Sequence, residues 1–145
     1  MHIRFVLIAL ALTGVILATG CNKPFPGLVP VSGTVTVDGK PVPYGGIIVH
    51  TQGHRPSMAR IDENGRFTLT CRNPGDGVIP GTHLVTVGAE EPVTERSKRW
   101  YAPKEYSNPA TSGLWVTIDG PTDDLKIELT WAKSSKEKAP FVENF

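Results

Sequence analysis

The stretch Asp62-Glu63-Asn64-Gly65-Arg66-Phe67-Thr68-Leu69-Thr70-Cys71 spells a tight turn and the strand that leaves it. Asn-Gly between alternating segments is the strongest short-range hairpin signal, because a two-residue turn needs positive φ and glycine adopts it without a steric cost. Past the turn, Phe67, Leu69 and Cys71 fall on one face and Arg66, Thr68 and Thr70 on the other. That period of two describes a strand with one buried face. Ser57 to Ile61, before the turn, supplies the opposing strand.

The same pattern repeats in both directions. Upstream, Val31 to Asp38 sets Val31, Gly33, Val35 and Val37 against Ser32, Thr34 and Thr36, and Asp38-Gly39-Lys40 forms a second turn. Gly46 to Thr51 is more continuously apolar. Downstream, Arg72 to Gly81 is a loop broken by glycine and proline, and Leu84 to Val87 alternates again. Leu114, Val116 and Ile118 share one face, which puts Trp115 on the other; Leu125, Ile127, Leu129 and Trp131 share the last. Seven half-apolar strands with no helical period predict an all-β domain over residues 31–131, with two antiparallel sheets packed face to face. Residues 132–145 read as a polar, loose tail in which Phe141 and Phe145 are candidates for docking.

The first twenty residues stand apart. Arg4 supplies a positive charge, Phe5 to Ala18 is an uncharged run of fourteen residues, and Thr19-Gly20-Cys21 follows. A basic start, a short apolar stretch and small residues at its end are the marks of a cleaved secretory signal. The run is shorter than the roughly 20 residues that span a bilayer. A cysteine directly after glycine resembles the lipobox of bacterial lipoproteins, although Ala18 stands where a larger aliphatic is usual. The resemblance implies acylation at Cys21, a membrane partner through that lipid, and a place in the cell envelope. Asn22, where aspartate can mark inner-membrane retention, points to the outer membrane. Residues 21–30, with three prolines, read as the acylated Cys and an extended spacer.

Removing residues 1–20 leaves 125 residues with 14 basic and 14 acidic side chains. A neutral domain has no electrostatic footprint for nucleic acid, so that partner class is set aside. Of the two cysteines, Cys71 shares the face of Phe67 and Leu69 and should be a buried, inert thiol. A Cys21–Cys71 disulfide is the rival reading in an exported protein.

Four segments carry a wider resemblance. VSGTVTVDGKPV (31–42), DENGRFTL (62–69), PGTHLVTV (80–87) and PKEYSNPATSGLWV (103–116) are similar, in this order, to short bacterial lipoproteins with a transthyretin-like or carboxypeptidase-regulatory-like domain. The resemblance implies a seven-stranded Greek-key antiparallel β-sandwich, transthyretin-like or Ig-like, used as an accessory or adhesive module. Enzymes on related folds carry motifs that are missing here. The chain ends Val142-Glu143-Asn144-Phe145 rather than in the Tyr-Arg-Gly-Ser type of tail of the hydroxyisourate hydrolases, and it has no His-x-His pair like that of the intradiol dioxygenases.

Of the candidate metal ligands His50, His54 and His83, the first two could converge, whereas nothing in the sequence brings His83 near them, and the expectation is solvated or edge histidines with no metal. Asp62-Glu63-Asn64 is too short for a calcium loop, whose ligands spread over about 12 residues. No cofactor is expected. The long connection Ala89 to Gly113 mixes four acids and four bases with Trp100, Tyr101 and Tyr106. Aromatics beside arginine favour recognition, so Arg99, Trp100, Tyr101 and Tyr106 are the candidate binding surface. The alternative is that Trp100 and Tyr106 fold back to cap one end of the domain. The expected function is a non-catalytic, lipid-anchored envelope module for binding or structural interaction, with an envelope protein or glycan as partner. The alternative is a small carbohydrate or metal binder using His50 and His54 beside Trp115.

Overall fold

The computed structural model describes residues 27–133 and 140–145. The signal segment, Cys21 and the spacer up to residue 26 lie outside the described residues. The chain is mostly β, arranged in several sheets that are largely antiparallel and form no closed barrel.

The first sheet is organised around β1 (Val31–Val37). The hairpin turn at Asp38-Gly39, with φ of 46° and 79°, leads to the two-residue β2 (Lys40–Pro41). β5 (Arg66–Thr68) pairs with Ser32 to Thr34 on the same side of β1, and β10 (Thr122–Leu129) lies on the other. The β1–β10 pairing is parallel, which departs from the purely antiparallel sheets expected. Parallel neighbours need a long crossover, and here nearly the whole domain supplies it. The register slips between Val31 and Gly33, where a Cβ on Gly33 would sit 1.9 Å from the Leu125 carbonyl oxygen. Only glycine lets β10 approach so closely.

The second sheet has the order β4-β3-β6-β9, all antiparallel: β4 (Ser57–Ile61), β3 (Gly45–His50), β6 (Gly81–Gly88) and β9 (Leu114–Ile118). The turn between β4 and β5 falls where expected, but the hairpin does not form as a ladder: the turn spans Asp62 to Gly65, and β4 and β5 go to different sheets. Asp62 Oδ1 accepts from the backbone N–H groups of Asn64 and Arg66, and Gly65 has φ of 76°. Past β5, Thr70 bridges back to Met58 and ties the two sheets together along the chain. Both sheets contribute to one core, which includes Val35, Ile47, Val49, Phe67, Leu69, Val85, Ile127 and Leu129. Burying each such side chain contributes about 1.5–3 kcal/mol before ordering costs.

Cys71 is buried as the alternation required. The loop that follows it is ordered by one carboxylate. Asp76 accepts backbone N–H bonds from Cys71, Arg72 and Asn73. Desolvation raises its pKa, but the bonds to Asn73, Cys71 and Arg72 outweigh this and hold it below the ordinary aspartate value.

Two regions differ from expectation. Residues 89–113 are not an irregular loop: β7 (Glu90–Thr94) and β8 (Ser97–Trp100) form a hairpin, followed by a 3-10 turn (Lys104–Ser107) and the one-turn helix α1 (Pro109–Ser112). The tail is not wholly loose either, because β11 (Phe141–Asn144) pairs with β8 to complete a third sheet, β11-β8-β7. These strands carry charges on both faces and Pro92 interrupts one of them, so they lack the alternation that marks a core strand.

Candidate functional site

The aromatics of residues 99–106 do not share one exposed surface. Trp100 is 5% and Tyr106 4% exposed. The Trp100 indole N–H donates to Glu143 Oε2 at 3.0 Å, and Lys104 Nζ meets Glu143 Oε1 at 2.5 Å. Lys98 and Lys104 stand 4.9 and 5.5 Å from the Trp100 ring centroid, so the indole lies among cations as well as in the fold. The bond from Lys104, then that from Trp100, holds the Glu143 carboxyl below its ordinary value. Tyr106 OH accepts from the backbone N–H of Thr130 at 3.2 Å. These side chains clamp β11 and the end of β10. Arg99 and Tyr101 remain half-exposed, but they are tied to each other and to Glu91, whose Oε2 accepts the Tyr101 hydroxyl at 2.6 Å.

The residues after them fix the path to β9. Asn108 caps α1 by accepting from the Ala110 N–H at 2.9 Å, Pro109 takes the first helical position, and Gly113 leaves with φ of 59°. Ser112 is fully buried, and its hydroxyl donates to the Val85 carbonyl of β6.

That path delivers Trp115 to the outer face of the β4-β3-β6-β9 sheet, where it is 65% exposed. The pleat sends Ile47 and Val49 inward, so Gly46, Ile48 and His50 point outward on β3. The register then defines three rows across the face. His50 lies beside Leu84, which lies beside Trp115; Met58 lies beside Ile48, which lies beside Thr86; and Arg60, Gly46 and Gly88 form the third. Met58 (47%) and Ile48 (36%) are exposed along with Trp115. In the third row two adjacent glycines remove the side chains, and the face sinks into a groove of about 490 Å³. A second depression of about 380 Å³ shares Gly46, Arg60 and Gly88 with it and reaches Tyr44 and Glu90. A third, of about 390 Å³, continues from Tyr44 and Glu90 to Lys98 and Phe145.

The charges along this path are unequal. Glu90 is paired with Lys98 at 2.7 Å. The Arg60 side chain is exposed and makes no ion pair or hydrogen bond among the described residues.

The histidines are distributed rather than gathered. His50 Nε2 lies 3.0 Å from Thr86 Oγ1, His54 is in the exposed turn after β3, and His83 is buried with Nε2 2.7 Å from the Ile79 carbonyl oxygen. Among the described residues no group of three or more His, Cys, Asp or Glu is placed to hold a metal ion.

Alternation placed Trp115 on an outer face and His50 at the end of its strand, but Arg60, Tyr44 and the Gly46–Gly88 floor were not found from the sequence. One signal was present. The continuously apolar run over β3 leaves Ile48 on the face opposite Ile47 and Val49, which is how a strand with two apolar faces is written. No protein-family model, no curated protein and no solved structure matches the chain.

Proposed function

We propose that this chain is a lipid-anchored, non-catalytic binding module of the bacterial cell envelope. A signal peptide over residues 1–20 is removed and Cys21 is acylated. A spacer to residue 30 then presents a transthyretin-like Greek-key β-sandwich, built on the seven strands legible in the sequence and elaborated by the third sheet. The binding face is the outer side of the β4-β3-β6-β9 sheet, not the segment 99–106.

One observation carries the binding part: Met58 and Ile48, paired on adjacent strands, and Trp115, which lies across β6 beside Leu84, are all exposed on one face of the sheet. A single exposed apolar residue is ordinary, whereas a contiguous set marks an interaction surface. The anchoring part is supported by Thr19-Gly20-Cys21 after a short apolar run. The order of the four segments similar to transthyretin-like lipoproteins supports the module type. Growth of producing cells with a radioactive fatty acid should label the protein in the membrane fraction, and Cys21→Ser should abolish the label. An unlabelled wild-type protein overturns the reading.

A further inference from the structure

We propose that the groove on the outer face binds a linear acidic polysaccharide, with Arg60 pairing a carboxylate of the sugar chain. This deepens the reading above and rests on it. The three depressions share residues end to end, so they form one path from Met58 past Arg60 and Tyr44 to Phe145. Such an open path fits a segment of a polymer better than it fits a small molecule enclosed on all sides.

The floor distinguishes a sugar chain from a peptide. Extended peptides gain affinity by adding a strand at a free sheet edge. Here the floor belongs to β3 and β6, each paired on both sides, so its backbone donors and acceptors are already used. A peptide laid across it would leave its own amides without partners, which is costly where water is excluded. A pyranose needs no such edge. Its C–H face can rest on the apolar side chains of Ile48 and Met58 and on the exposed ring of Tyr44, while its hydroxyls meet side-chain donors and water.

The charge selects an acidic sugar. With Glu90 neutralised by Lys98, the guanidinium of Arg60 is the uncompensated charge where the first two depressions meet. A planar guanidinium matches a carboxylate in a two-point bond. The floor itself offers a clean test position: a Cβ on Gly88 would meet nothing within 4 Å, and its backbone lies outside the left-handed region. A leucine there has free space for its Cβ, and its side chain projects from the floor into the groove.

Titration calorimetry of the full-length protein in detergent micelles, at low salt, tests this with three probes: an oligogalacturonate, a neutral malto-oligosaccharide and an oligoglutamate. The oligogalacturonate should bind and the other two should not. Arg60→Gln should weaken that binding on the order of tenfold or more, and Gly88→Leu should abolish it. Both variants should keep the wild-type melting temperature, and Lys40→Gln, in an exposed turn, should bind like wild type. Neutral sugar bound equally well and unaffected by Arg60→Gln overturns the acidic class. Oligoglutamate bound equally well overturns the sugar specificity, and absence of oligogalacturonate binding overturns the proposal outright. In each of these cases fatty-acid labelling at Cys21 is unaffected, whereas a wrong anchoring assignment appears there and not in the calorimeter.

Discussion

Trp100 and Trp115 are joined by a single connection, and the regions that hold them use the same side chain in opposite ways. In the β11-β8-β7 sheet, Trp100 is buried, its N–H is bonded to Glu143, and two lysines stand close to its ring. On the β4-β3-β6-β9 sheet, Trp115 has most of its surface in water, next to Leu84 of β6. The first arrangement satisfies its polar atom and covers its apolar surface, so it is built for holding the chain together. The second leaves apolar surface uncovered at a small cost to folding, which is what a surface reserved for another molecule requires. Composition made the first region look like the binding site. Burial takes the first out of that role, and the proposed binding face is the second.

The sharpest way to break this contrast is Trp100→Ala. It should cost about 3–5 kcal/mol, as other large aromatic truncations in cores do, and lower the melting temperature on the order of 10 °C or more. A change of only a degree or two in a calorimetric scan would mean that the third sheet contributes little. Ser112→Ala, at the junction between the two regions, should cost about 1 kcal/mol by removing the bond from its buried hydroxyl to the Val85 carbonyl, read from the urea midpoint. No shift there would detach the connection from the stability of the outer sheet.

A milder perturbation is acid. The Glu143 carboxyl has a pKa below its ordinary 4.5, from its bonds to Lys104 and Trp100. A group with a depressed folded-state pKa contributes stability that is complete above the unfolded value and is lost as pH falls through the folded value. Protection of the Phe141 and Glu143 amides, measured relative to their intrinsic exchange rates, should therefore be high at neutral pH and fall below about 4.5, toward the lower folded value. Glu143→Gln should flatten this dependence; persistence of the full acid response in that variant would place its origin elsewhere. The smallest effect belongs to Trp115→Ala, within about 0.5 kcal/mol of wild type, with loss of the water-exposed, acrylamide-quenchable part of the fluorescence. A large drop in stability would show that Trp115 packs rather than waits for a ligand.

Much of the frame was readable before any coordinates. The Asn64-Gly65 and Asp38-Gly39 turns, the inward Phe67, Leu69 and Cys71, and the outward Trp115 all follow from contacts within a few residues, where period and turn chemistry act. β7, β8 and β11 did not show themselves because they cover the domain instead of forming its centre. β11 finds its partner β8 only from the far end of the chain, and the β7–β8 hairpin carries charged residues on both faces with Pro92 interrupting it.

The sequence by itself therefore determined an all-β domain, the position of its principal turns and the inward face of each core strand, because strand pleat and glycine sterics are local properties. Tertiary structure alone decided that β1 lies parallel to β10, that Glu143 reaches Trp100 and Lys104 from the far end of the chain, and that Arg60, Gly46 and Gly88 meet in one row. Those depend on which strands are neighbours and in what register, and a one-residue slip in register would send each of these side chains to the opposite face.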